Sequence, residues 1–223
     1  MDIQKQLHTV FLQSPSNLFD AFIEECKKWY DKPAHNFVEL KTRENKKLRG
    51  DIFEEFCVIY LTNIKQYTNV WRLEDVPDEI LILLNLKRRD MGIDIIAEKD
   101  GKYIAVQCKY KKPTLKKTYV SWKTLSTFYA LCMRSGPWES YIVMTNCNYV
   151  TYVGKKTVKD ISICLQTFQN ITKEEWVSMC DIQGNVINNI TETNTETNII
   201  KNKVLTLSEL RNARLAYYDK KNI

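Results

Sequence analysis

Two β-like runs, residues 92–98 and 102–110, are separated by little more than Asp100-Gly101. An Asp-Gly pair supplies the positive φ angles of a type I′ turn, so the spacing predicts a tight hairpin. Opposed residues are then those whose numbers add to 201, as Asp100 and Gly101 do, and Asp94 faces Gln107. Side chains alternate along a strand, which puts Lys109 on the same face as Gln107 and turns Val106 and Cys108 to the other. Three polar groups thus converge inside an otherwise apolar hairpin.

Buried carboxylates and ammonium groups are strongly disfavoured unless they have partners. A divalent cation and a phosphate satisfy all three. Asp94 offers a carboxylate, Gln107 an amide oxygen, and the main-chain carbonyl of Cys108 a third hard oxygen, a set that suits Mg²⁺, with Mn²⁺ able to substitute. Lys109 can orient or deprotonate a water and stabilise charge developing on the phosphate. A further carboxylate is expected from the preceding helix. On a 3.6-residue wheel Glu54 falls beside Cys57 and Leu61, nearer the apolar stripe than Glu55 does.

The pattern around the hairpin gives the order αβββαβαβα. Residues 1–48 read as an N-terminal helical extension, with Leu18, Phe22, Cys26, Trp29 and Tyr30 at helical spacing behind Ser16 or Asn17 as a cap. A helix from about Gly50 carries Phe53, Phe56, Cys57, Tyr60 and Leu61 on one stripe. A strand at 69–73, a connection through Pro77 and the apolar run 80–86 lead to the hairpin. Beyond it, Ser121 caps a helix through Met133 carrying Trp122, Leu125, Phe128, Tyr129 and Cys132. Strands at 141–145 and 161–165, a weak helix at 149–158 and a helix at 172–179 complete a core spanning 49–182. Residues 183–203 are rich in Asn, Thr and Glu and read as a polar linker, and 204–223 as a C-terminal helix.

Composition removes several classes of function. The seven cysteines are odd in number, form no Cys-x-x-Cys pair and sit mostly among apolar residues, which argues for reduced, packed thiols. With only His8 and His35, histidine-based zinc hydrolysis and a Ser-His-Asp triad have little to build on. No run approaches the roughly 18 apolar residues of a membrane span, and the N-terminus has no signal-peptide pattern, so a soluble intracellular protein with no membrane partner is expected. The formal charge of +6 is concentrated at 41–49, 87–89, 109–117 and 155–159. Beside an acidic metal site such clusters draw in a polyanion. Lys111, Lys112, Lys116 and Lys117 directly follow Lys109 and are the expected DNA contacts.

The string Asp90-Met-Gly-Ile-Asp94-Ile-Ile-Ala, the hairpin, and Ala-Val-Gln107-Cys-Lys109-Tyr resemble the catalytic core of Mrr-type restriction endonucleases, a branch of the PD-(D/E)xK nucleases. Gly50-Asp-Ile-Phe-Glu54 resembles that branch's helix motif, in which a Phe-Glu pair supplies the helix carboxylate. The likeness covers roughly 49–168. It implies an α/β fold with an αβββαβ core, a central mixed sheet flanked by helices, and Mg²⁺-dependent hydrolysis of DNA phosphodiester bonds. Asp94, Gln107, Lys109 and Glu54 would be catalytic, and Asp94, Gln107, Cys108 and Glu54 would hold the metal. Ile93 replaces the proline that names the superfamily, and Gln107 replaces its usual acid, as is typical of the Mrr branch.

Other readings share parts of this pattern. A nuclease fold that only binds DNA, or a resolvase of branched DNA, has the same basic surface. Gly154-Lys155-Lys156-Thr157 superficially matches a phosphate loop, but Tyr149 stands where that loop requires glycine. A duplex break needs two cuts, which suggests a homodimer. By analogy with similar domains, a helicase-like ATPase in the same longer chain is a further expected partner.

Overall fold

A computed structural model describes residues 2–30, 43–89, 92–152 and 156–180. The chain divides into two units, residues 1–182 and 183–223, and every described residue belongs to the first. The polar linker, the C-terminal helix, Asp90 and the Gly154-Lys155 pair lie outside the described residues.

The elements begin with helices α1 (Ile3–Leu12), α2 (Leu18–Tyr30) and α3 (Arg43–Asn63), then β1 (Asn69–Arg72) and a short helix α4 (Asp78–Leu83). The hairpin strands β2 (Ile95–Lys99) and β3 (Lys102–Lys109) follow, with β4 (Tyr119–Val120), α5 (Trp122–Cys132), β5 (Ser140–Thr145) and β6 (Tyr149–Val150) after them. Strand β7 (Asp160–Ile163) and helices α6 (Leu165–Gln169) and α7 (Lys173–Met179) end the described part.

Asp100 and Gly101 both take positive φ, 54° and 72°, and the turn closes β2 on β3 in the expected register, from Ile95 opposite Val106 to Lys99 opposite Lys102. Strand β1 pairs antiparallel with the outer side of β2, whereas β5 and β7 add in parallel beyond β3, giving a mixed sheet of order β1-β2-β3-β5-β7. This is the restriction-endonuclease-like α/β fold implied by the sequence, with the sheet between two helical layers.

Strand alternation divides the interior in two. Ile104, Val106 and Cys108 of β3 face one core, shared with α1, α2, α3, α6 and α7, while Ala105 faces a second core with α4 and α5. The first is dense in aromatics: Phe22 stacks on Phe56 with ring centroids 5.1 Å apart, and Phe19 on Phe168 at 4.9 Å. Full burial of each such side chain stabilises by about 1.5–3 kcal/mol. The N-terminal helices contribute Ile3, Leu7, Val10, Phe19 and Phe22 to this same core. Of the two capping residues left open by the sequence, Asn17 takes the position, its Oδ1 accepting the Asp20 N–H at 3.1 Å.

Local readings differ in three places. Helix α3 starts at Arg43, a turn and more before Gly50. The weak helix over 149–158 does not form among the described residues, because Tyr149 and Val150 pair in parallel with Tyr119 and Val120, and the Thr151 N–H extends the ladder to the Val120 carbonyl at 2.9 Å. Trp122 is exposed, so the α5 stripe is buried only from Leu125 onward. All seven cysteines are unpaired thiols, six of them buried. Among the described residues no helix is long and apolar enough to cross a membrane.

Candidate active site

The hairpin ladder stops at Ile95 and Val106, and Asp94 leaves it. Its N–H donates to the Val106 carbonyl at 3.0 Å, one residue off the ladder register, and its carbonyl accepts from Leu73 N–H at 2.9 Å. Gly92 makes this path possible. At φ 112°, a Cβ there would stand 3.0 Å from the Phe128 backbone nitrogen, so only glycine lets the chain run this close to α5. Ile93 is then buried and Asp94 emerges half-buried beside β3.

Asp94 Oδ2 accepts the Cys108 N–H at 2.6 Å and also the side-chain amide of Gln107. Gln107 is 2% exposed, and its amide nitrogen also lies 3.5 Å from the Cys108 carbonyl. Asp94, Gln107 and the Cys108 main chain therefore meet, through side-chain reach and not through continued ladder pairing. The Cys108 thiol is turned into the opposite core against Cys57. Burial pushes both thiols up from their ordinary values, and the nearby charges of Asp94 and Glu54 add to this, so both stay protonated. Only the Cys108 carbonyl is available as a ligand.

Glu54 projects from α3 next to Gly50, where an added Cβ would lie 3.9 Å from its Oε1. It borders two clefts. One, of about 530 Å³, is lined by Asp94, Asp51 and Glu74 together with Lys47, Arg72 and Arg88, and the two arginines are ion-paired with Glu74 and Asp78 respectively. The other, of about 360 Å³, is lined by Arg49, Cys108, Lys109 and Lys112. Glu55 borders neither of them, and burial raises its carboxyl above the ordinary value.

Lys109 ends β3, half-buried, with its carbonyl held by the Thr145 hydroxyl at 2.6 Å. Asn146 brackets the next turn of chain: its Oδ1 accepts Lys111 N–H at 2.8 Å and its Nδ2 donates to the Lys111 carbonyl at 2.6 Å. Thr145 and Asn146 thus hold the segment that leads from Lys109 into the basic loop. Lys111, Lys112, Lys116 and Lys117 are all exposed.

Among the described residues no three His, Cys, Asp or Glu side chains gather at one point. A cation at Asp94 would therefore draw on the Gln107 amide oxygen and the Cys108 carbonyl, with Glu54 across the cleft. These donors are all hard oxygens, the chemistry that Mg²⁺ and Mn²⁺ prefer, so the residues present fit such an ion.

A mixed sheet between helices, with a cleft at the hairpin lined by acidic and basic side chains together, is the architecture of a restriction-endonuclease-like nuclease domain. The model of the restriction endonuclease family Mrr_cat_2 matches residues 62–222, and the chain belongs to that family. The matched span takes in Asp94, Gln107, Lys109 and the basic loop and begins beyond Glu54. No curated protein and no solved structure matches the chain.

Proposed function

We propose that the chain is a metal-dependent DNA endonuclease of the Mrr-like restriction type, hydrolysing phosphodiester bonds with Asp94, Gln107, Lys109 and Glu54. The observation that carries this reading is the meeting of the Asp94 carboxylate with the Gln107 amide and the Cys108 main chain. Asp94, Glu54, the Cys108 carbonyl and, with its side-chain amide turned over, Gln107 would hold Mg²⁺ or, in its place, Mn²⁺. A cation bound there acidifies water and offsets charge on the phosphate oxygens. Lys109 orients the attacking water and stabilises the charge that builds on the scissile phosphate, while Lys47 on the cleft wall and the exposed lysines after Lys109 attract the DNA backbone.

The test is incubation of the full chain with plasmid, linear and branched DNA plus Mg²⁺ or Mn²⁺, read as nicks and breaks against an Asp94→Ala control. Nicking or breakage by the wild type and none by the variant is the expected result. Metal-independent binding with no cleavage of any substrate would instead make the chain a nuclease-fold binding module.

A further inference from the structure

Beyond the lysine loop, the structure presents an aromatic surface that neither the core nor the reaction uses. In the two short strands β4 and β6, alternation turns Val120 and Val150 toward the second core and leaves Tyr119 and Tyr149 outside. Both tyrosines are nearly half exposed, at 46% and 45%. Their rings lie with centroids 5.5 Å apart and planes within 13° of parallel.

The pair is held firmly. Asn148 Oδ1 accepts Thr118 N–H at 2.8 Å, and Asn148 N–H donates to the Thr118 carbonyl at 3.0 Å. Lys111 Nζ donates to the Tyr119 carbonyl at 2.6 Å and lies 5.5 Å from the centre of its ring. Because Asn146 fixes the Lys111 backbone, the tyrosines are tied to the chain only two residues past Lys109. Exposed lysines at 112, 116 and 117 share the intervening loop.

We propose that Tyr119 and Tyr149 form a stacking platform for an unpaired nucleobase of the DNA strand that runs over this lysine loop. Charge complementarity selects a polyanion, and the exposed rings select its flat, unsaturated groups. In a duplex those faces are stacked on neighbouring bases and only edges are presented, so the platform serves a single strand, an overhang or an extruded base. A ring face is common to every base, so the platform adds affinity for unpaired DNA with little sequence preference. The proposal rests on the nuclease reading for the course of the strand, and the two are separable by experiment.

The experiment measures affinity of the full chain for a labelled oligothymidylate of about 12 nucleotides, a length within ordinary site sizes, and for a duplex of equal length. Ca²⁺ replaces Mg²⁺ to prevent cleavage. Tyr149→Leu, which keeps apolar bulk but removes the ring, should weaken single-strand binding by about 5- to 150-fold, the range that loss of one base–aromatic stack carries. Tyr149→Phe should bind as wild type, and duplex affinity should fall less than single-strand affinity in the leucine variant. Equal single-strand affinity of wild type and Tyr149→Leu, equal losses on both DNAs, or no single-strand binding by wild type would overturn the proposal. If circular dichroism shows Tyr149→Leu unfolded, photocrosslinking of wild type to an iododeoxyuridine-substituted oligonucleotide decides. An adduct on Tyr119 or Tyr149 supports the platform; adducts only elsewhere, or none, overturn it. Plasmid cleavage in Mg²⁺ is scored in parallel. Ring-dependent binding without cleavage keeps the platform and sinks the nuclease reading, and cleavage with ring-independent binding does the reverse.

Discussion

The side-chain amide of Gln107 donates to Asp94 Oδ2, the same oxygen that accepts the Cys108 N–H at 2.6 Å. With the Cys108 carbonyl 3.5 Å from that amide nitrogen, the NH₂ stands between two oxygens proposed to share a cation. Turning the amide over presents its oxygen to the ion instead, with almost no change of shape.

Gln107→Glu tests this relation. Without a divalent cation two carboxylates adjoin, and like charge raises the folded-state pKa of one of them. A carboxyl raised in the folded state costs nothing below its unfolded value of about 4.3 and costs progressively more as pH rises above it. At neutral pH the variant should therefore be less stable than wild type by about 1–3 kcal/mol, the cost of the broken hydrogen bond and unpaired charge. The deficit should vanish near pH 4 and shrink when Mg²⁺ is added. Thermal melts at both pH values, with and without Mg²⁺, measure it; a pH-independent deficit would mean a packing fault.

Asp94→Ala should abolish metal-dependent cleavage while leaving the fold intact, since Asp94 is half-buried at the cleft and not part of either apolar core. Lys109→Ala should cost at least about two decades in rate, as expected for loss of a charge-stabilising or proton-handling group. Single-turnover cleavage of a plasmid, with circular dichroism as the folding control, checks both. Wild-type rates in either variant would show that the chemistry lies elsewhere.

The two adjacent glutamates of α3 should separate function from stability. Glu54→Gln should weaken cleavage or raise the Mg²⁺ needed for it, because Glu54 borders both clefts. Glu55→Gln should leave cleavage nearly unchanged and alter stability instead. Burial raises the Glu55 carboxyl, so its ionised form is disfavoured in the fold above the unfolded pKa, and the penalty disappears in acid. The Gln variant should thus melt higher than wild type at neutral pH and alike near pH 4. Metal titrations of cleavage and paired melts distinguish these outcomes from their reverse.

How much of this could be read from the sequence depends on range. Asp100-Gly101 set a register by local turn chemistry, and the stripe from Phe53 to Leu61 declared the buried face of α3 by periodicity alone. Asp94 did not follow that register, because the departure depends on Gly92 meeting the Phe128 backbone far along the chain. Tyr149 and Val150 look weakly helical in isolation and become a strand only through Tyr119 and Val120. Asn146 directly follows β5, yet its partner Lys111 lies 35 residues earlier, and no local pattern marks the pairing.

The structure sharpens the expected role of the basic loop. Lys111 is engaged with the carbonyl and ring of Tyr119, so its removal would disturb β4 as well as any phosphate pairing. Lys112, Lys116 and Lys117 are exposed and give a cleaner measure. Lysines on phosphate hold the backbone without reading bases, so replacing these three by alanine should weaken binding to unrelated duplexes alike. Each lysine–phosphate pairing removed from a duplex complex lowers the log-log salt slope by about 0.9, and removal of all three lowers it by about 2.7. Adding Lys111→Ala should also reduce the melting temperature, whereas the triple variant should melt as wild type. Affinities over a salt series in Ca²⁺ provide the slope. An unchanged slope in the triple variant would show that the loop is a solvated face and that the backbone is held elsewhere on the chain.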